Sequence, residues 1–151
     1  MSRKCLVMLV VLSVMVSFTT LAWAQAKPDD AQAWVKKGIA FFKAQGKDKA
    51  LAAFSDPKGE FVKDDLYIYV LDLNGKMLAH PKADLVGKDF MVVKDADGKL
   101  FAVDIVKTAK EKGNGWVDYK WENPKTKVVD PKTVYFEKVD DVIICSGAYK
   151  K

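Results

Sequence analysis

Residues 116–124 read Trp-Val-Asp-Tyr-Lys-Trp-Glu-Asn-Pro. In a strand, successive side chains point to opposite faces. Val117, Tyr119 and Trp121 then share one face, and Asp118, Lys120 and Glu122 the other. A phenol and an indole each carry a hydrogen-bond donor on an apolar body, so this face offers more than an aliphatic core would. Similar residue types recur on neighbouring stretches. Tyr67 and Tyr69 share one face of a strand at 67–71. At 132–139, Lys132, Val134 and Phe136 fall on one side and Thr133, Tyr135 and Glu137 on the other. His80, the only histidine, ends another strand just before Pro81. One ammonium, one imidazole and several neutral donors suit a small anion such as a carboxylate. A single positive charge would hold it, and hydrogen bonds in an apolar cleft would orient it. Tyr and Trp are also ordinary strand residues, Lys132 can equally lie in solvent, and His80 can cap a turn. A plain structural role for the same residues therefore stays open beside the binding role.

Other chemistries find less support. No Ser or Cys nucleophile motif stands near the single histidine, so a small enzyme using His80 is a rival reading only. The sequence contains no Cys-x-x-Cys, which removes the usual zinc, redox and haem-attachment signatures, and no cofactor-binding motif is evident. Asp95-Ala96-Asp97-Gly98 has the start of a calcium loop but lacks the later ligands and the closing Glu, so a turn accounts for it better and no metal site is expected.

The first residues must be set aside before the fold is considered. Ser2-Arg3-Lys4 is a short positive start, residues 5–24 carry no charge, and Ala22-Trp23-Ala24 has the small-x-small form of a signal peptidase site. Residues 1–24 are read as a cleaved secretory signal, with an uncleaved membrane anchor as the alternative. Either places the remainder, 25–151, outside the cytoplasm, periplasmic or secreted in the first case. Cleavage would leave 23 Lys+Arg (25 less Arg3 and Lys4) against 20 Asp+Glu, a net charge of +3. These charges are interspersed, the pattern of a solvated surface, with no basic stripe for nucleic acid. Cys145 would be the single remaining thiol, in the apolar run Val142-Ile143-Ile144-Cys145, and reads as a core residue.

The elements that must position the candidate residues follow from periodicity. Residues 29–45 form an amphipathic helix with Ala31, Trp34, Val35, Gly38, Ile39 and Phe42 on one stripe, Asp29 or Asp30 at its start and Gly46 as its stop. A short second helix carries Leu51 and Phe54. Strands at 67–71 and 76–80 flank Asn74-Gly75, a hairpin signal. Residues 82–98 look irregular, and a helix follows at 99–112. Strands at 115–122, 132–139 and 142–149 are joined by short links and predict an antiparallel meander. The expectation is one α+β domain, an antiparallel sheet of about five strands with the helices on one side.

Taken together, several stretches resemble a single Cache domain of the second type. They are Asp56-Pro57-Lys58-Gly59-x-Phe61, Asp72-Leu73-Asn74-Gly75, Ala79-His80-Pro81, Leu85-Val86-Gly87-Lys88-Asp89, Gly115-Trp116-Val117-Asp118-Tyr119-x-Trp121-x-Asn123-Pro124, Pro131-Lys132-x-x-Tyr135 and Gly147-x-Tyr149. The resemblance covers about 28–151. It implies a PAS-like fold, a long N-terminal helix packed on a five-stranded antiparallel sheet, and a non-catalytic extracytoplasmic module that senses small organic acids in signal transduction and chemotaxis. It places the ligand between the sheet and the segment joining the second and third strands. Carried onto this sequence, it makes Lys132 the partner of the carboxylate, Tyr119 and His80 hydrogen-bond donors and Trp121 a wall, with Tyr67, Tyr69 and Tyr135 as second choices. Parity leaves open whether Lys132 or Tyr135 points inward, unless a bulge intervenes. The sequence given shows neither a second apolar span nor an output domain after Tyr149-Lys150-Lys151. The expectation is therefore a free-standing module working with a separate membrane receptor, kinase or transport partner, and a homodimer through the N-terminal helix is a further expectation.

Overall fold

The computed structural model describes residues 24–150. Apart from Ala24, the signal reading of 1–24 falls outside them. The first helix, α1, spans Pro28–Gln45 and α2 spans Lys47–Ser55. Pro28 takes the first helical position, where its missing N–H costs nothing, and the Asp30 carboxylate accepts the Lys27 N–H at 2.7 Å. Ala31, Val35, Gly38, Ile39 and Phe42 are buried, the stripe that periodicity predicts. Gly38 lets the helix lie close on the sheet: a Cβ there would stand 2.6 Å from Ile68 Cδ1.

The strands are β1 (Val62–Lys63), β2 (Leu66–Asp72), β3 (Met77–Ala79), β4 (Asn114–Glu122), β5 (Val129–Val139) and β6 (Val142–Tyr149). All pairings are antiparallel. The order is β1-β2-β6-β5-β4, with β3 also pairing β2, so the expected five strands gain a two-residue sixth. The β2–β3 turn uses Gly75 at φ 83° and is tied by Asp72 Oδ1, which accepts from the N–H groups of Asn74 and Lys76. Helix α3 spans Phe101–Lys112 and ends on Gly113 in the left-handed region.

The helices do not share one side of the sheet. Helices α1 and α2 cover one face, with Val35, Ile39, Phe42, Phe54 and Phe61 against Ile68, Val70 and Ile144. Helix α3 covers the other, with Phe101, Ala102, Ile105 and Ala109 against Val117, Val134, Phe136 and Ile143. The physical reason lies in β2 and β6, which are buried along almost their whole length and are apolar on both faces, so each face needs its own cover.

The segment between β3 and α3 is less irregular than its composition predicts. It contains two single 3₁₀ turns, Ala83–Leu85 and Phe90–Val92, and drives Phe90 into the α3-side core. Asp95 latches its end to the β4 edge. Oδ1 accepts the N–H groups of Asp97 and Lys99, and Oδ2 accepts that of Lys120 at 2.9 Å. The Asp-Ala-Asp-Gly stretch is thus a structural latch.

Candidate ligand-binding site

Direct strand pairing sets the site's frame. Lys132 of β5 lies opposite Tyr119 of β4 and Tyr149 of β6, and Tyr69 of β2 lies opposite Cys145 of β6. Residues directly opposite share a face. Lys132, Tyr119, Tyr149, Tyr69 and Tyr67 therefore all meet on the α3 side, at the end of the sheet next to the helix's first residue, Phe101.

Lys132 is 1% exposed. Its Nζ donates to Tyr67 Oη at 2.8 Å and sits 4.2 Å from the Tyr67 ring centre, 4.9 Å from that of Tyr149 and 5.6 Å from that of Tyr69. Aromatic faces attract a cation, most strongly when water is excluded. Among the described residues no carboxylate lies within ion-pair distance of it. Gly147 makes room for its stem: a Cβ there would meet Lys132 Cε at 2.6 Å and Val134 Cγ2 at 2.5 Å.

His80 closes the other side. Its Nδ1 accepts the Lys82 N–H at 2.8 Å, which fixes the neutral ring as the tautomer with hydrogen on Nε2. Burial, with the positive charges of Lys132 and Lys82, lowers its pKa from 6.5 to about 3, so it is an uncharged Nε2–H donor at neutral pH. Its ring centre stands 5.1 Å from that of Tyr67.

The phenols complete a chain of donors. Tyr69 and Tyr119 are joined hydroxyl to hydroxyl at 2.8 Å, a bond that consumes one of their two hydrogens and leaves one free. Tyr149 donates to the Glu122 carbonyl at 2.8 Å, with its hydroxyl 3.5 Å from that of Tyr67. Tyr67 receives the Lys132 ammonium on its oxygen, which polarises its own O–H toward donation. Burial pushes the hydroxyls of Tyr69, Tyr119 and Tyr149 well above the ordinary phenol range, so all three keep their protons.

These groups surround a small cavity lined by Tyr67, Tyr69, His80, Tyr119 and Trp121, with Met77, Phe90 and Phe101 as its apolar wall. Phe101 stacks on Tyr119 with ring centres 3.9 Å apart and 10° between planes. The cavity measures about 10 Å³, room for about one water. Lys132 stands behind the wall, one hydroxyl away through Tyr67. A second, wider cavity of about 540 Å³ shares Tyr67, His80 and Trp121 with the first and opens outward between β1, the 80–85 segment and the β4–β5 loop.

Six of the seven residues singled out from the sequence thus converge, five on the cavity and Lys132 behind it. Tyr135 does not. Strand β5 pairs with β4 and β6 without a bulge, so a residue three places from Lys132 must face the opposite side. There Tyr135 packs on Trp116 and donates to Glu137 Oε2 at 3.0 Å, which in turn pairs with Lys36 of α1. Tyr149, by contrast, packs beside Lys132 without lining the cavity; it is not among the candidates, although its place opposite Lys132 follows once β5 and β6 are paired.

The family model for the Single Cache domain 2 matches residues 13–151. The chain belongs to the Single Cache domain 2 family. Over 88 residues, 56% of the chain, it is 33% identical to the methyl-accepting chemotaxis protein McpP of Pseudomonas putida, and it spans only 16% of that receptor's length. Two solved Cache-type structures agree at TM-score 0.63. One is a periplasmic sensor domain of a chemotaxis protein, 28% identical, with 82% of this chain and 90% of that one covered. The other is a Cache chemosensory domain described for its recognition of carboxylic acids, 26% identical, with 82% and 88% covered. A methyl-accepting chemotaxis protein of Vibrio parahaemolyticus shares the fold at TM-score 0.69 and 21% identity, over 80% of this chain and 86% of that one. The donor cluster of this Cache domain accordingly lies in a fold shared with sensor domains of chemotaxis proteins.

Proposed function

We propose that this Cache domain is an extracytoplasmic sensing module that binds a small organic acid of two to four carbons without transforming it. The observation that carries the reading is the Lys132 ammonium, 1% exposed and with no carboxylate partner among the described residues. A buried charge is costly unless an opposite charge compensates it, and a carboxylate entering the cavity brings that charge to within one Tyr67 hydroxyl of the ammonium. Tyr67 O–H, His80 Nε2–H and the spare hydrogen of the Tyr69–Tyr119 pair converge as neutral donors. Recognition of carboxylic acids by a Cache chemosensory domain 26% identical to this chain supports the same ligand class. The cavity has room for about one water, so a side chain must give way on binding. Trp121, only partly buried at the wall shared with the outer cavity, is the side chain placed to do so.

The chemistry around the cavity favours binding over turnover. His80 stays neutral, and its Nδ1 is occupied by the backbone. Burial pushes the Cys145 thiol far above its ordinary range, so no thiolate forms there at neutral pH. The module works in the periplasm or in a secreted form after loss of residues 1–24, and hands its liganded state to a separate receptor, kinase or transport partner; pairing through α1 is the mode of self-association consistent with this role. An intact N-terminus in mass spectrometry of the exported protein would replace the free form by a tethered one. The binding claim is tested by calorimetric titration of the purified protein with acetate, propionate, pyruvate, lactate and butyrate. At least one acid is expected to bind, and Lys132→Ala to weaken it by about 2–5 kcal/mol, the cost of removing one partner of a buried charge pair. No heat with any acid, or an unaffected variant, sinks the reading.

A further inference from the structure

The outer cavity has more room than the inner one can use. The inner cavity, about 10 Å³, takes little beyond the oxygens of a carboxylate once Trp121 moves. The outer one, about 540 Å³, lies within the range of small-molecule sites. Its walls come from three separate segments: Val62 of β1, Leu85 of the first 3₁₀ turn, and Trp121 with Pro124 at the end of β4. Val62, Leu85 and Trp121 are partly buried against the core on the α3 side, so their apolar sides form a continuous lining. The β4–β5 wall is held in place. Asn123 is buried, donates to Asp65 Oδ2 at 3.1 Å and accepts the Lys125 N–H at 2.9 Å. The same loop carries Lys127 at φ 62°, a backbone region that a lysine rarely adopts. Lys82, Lys125 and Lys127 stand at the rim with Asp64 and Glu122, a mixed set with one positive charge in excess.

We infer that this outer cavity is a subsite for the carbon body of the ligand, and that the domain takes monocarboxylic acids with an unbranched apolar body longer than four carbons more tightly than it takes the shortest acids. The inference rests on the carboxylate reading of the inner site. The head lies against Tyr67 and His80 with the Lys132 ammonium one hydroxyl behind, and the chain passes Trp121 and lies between Val62, Leu85 and Pro124. Continuity decides the occupant: the two cavities share Tyr67, His80 and Trp121, so a single molecule spans both. A head carrying negative charge answers the buried ammonium, and an apolar tail answers the outer lining.

The test is a calorimetric series of straight-chain acids from acetate to octanoate on the purified protein, repeated on Leu85→Ala, Val62→Ala and Lys132→Met. Each methylene beyond butyrate is expected to tighten binding by up to about fourfold, the value of burying a methylene. Leu85→Ala and Val62→Ala should flatten that rise while acetate affinity stays as in the wild type. Lys132→Met should weaken every member, which separates the site from non-specific adsorption of octanoate. If acetate binds but octanoate is no tighter than butyrate, the outer subsite falls and the carboxylate reading stands. The outer subsite falls likewise if the rise survives both wall variants. If no acid binds, the carboxylate reading has failed and takes this inference with it.

Discussion

The two faces of one sheet are built to different ends. On the α1–α2 side, Phe54 and Phe61 meet edge to face at 4.8 Å and 86°, beside fully buried Val35, Ile68 and Ile144. That face holds no buried charge among the described residues. The opposite face begins in the same manner under α3, then turns polar beyond the helix's first residue, Phe101, with Lys132, His80 and four tyrosines buried together. On the proposed reading, the second face trades some stability for a buried positive charge that a ligand can answer. A pure aliphatic core would be more stable and would recognise nothing.

The sharpest way to separate the faces is to damage the first. Phe54→Ala should lower unfolding free energy by about 3–5 kcal/mol, the usual cost of emptying a buried aromatic site. Carboxylate affinity should stay unchanged wherever the protein is folded, because no contact of Phe54 reaches the donor cluster. Denaturant titration and calorimetry check the two halves, and a coupled loss of affinity would show the faces to be one unit.

Gly147→Ala attacks the second face through its packing. The added methyl would sit 2.6 Å from Lys132 Cε and 2.5 Å from Val134 Cγ2, so the lysine stem must shift. Overpacking of this kind costs about 1–3 kcal/mol in stability, and here it should weaken acid binding as well. The equivalent insertion on the first face, Gly38→Ala against Ile68 Cδ1, should cost stability alone. Equal effects of the two on binding would erase the distinction.

A pH dependence probes the second face without touching its packing. The folded pKa of His80, about 3, lies below the ordinary 6.5. In that window the unfolded chain takes up a proton that the folded chain refuses, so stability falls as pH falls from 6.5 toward 3 and is fully recovered above 6.5. Melting temperature should therefore drop less steeply with acid in His80→Gln than in the wild type. Parallel curves would mean that His80 titrates normally and is not held as a neutral donor.

Much of this plan is legible in the residues alone. The α1 stripe follows from period 3.6, and alternation places Tyr119, Trp121 and Lys132 on common faces of their strands. Alternation also separates Lys132 from Tyr135, provided β5 runs without a bulge, and only the continuous pairing to β4 and β6 supplies that condition. Tyr149 escaped because Val142–Tyr149 is buried on both faces, so no exposed residue marks which side is which. The placement of α3 on the second face escaped for the same reason. The size of the inner cavity depends on how Met77, Phe90 and Phe101 fill the space, which no local pattern encodes.

Everything on the second face turns on whether the Lys132 ammonium is kept buried for a ligand's charge. Melting the wild type and Lys132→Met side by side, with and without the best-binding acid, decides it. Without acid, Lys132→Met should melt at the same temperature as the wild type or higher, since an uncompensated buried charge has been replaced by an apolar chain of similar length. With acid at a hundredfold excess over its dissociation constant, the wild type should gain about 2.7 kcal/mol of stability while the variant gains nothing. A variant that is destabilised without acid and still stabilised by it would show that the ammonium serves the fold and not a ligand.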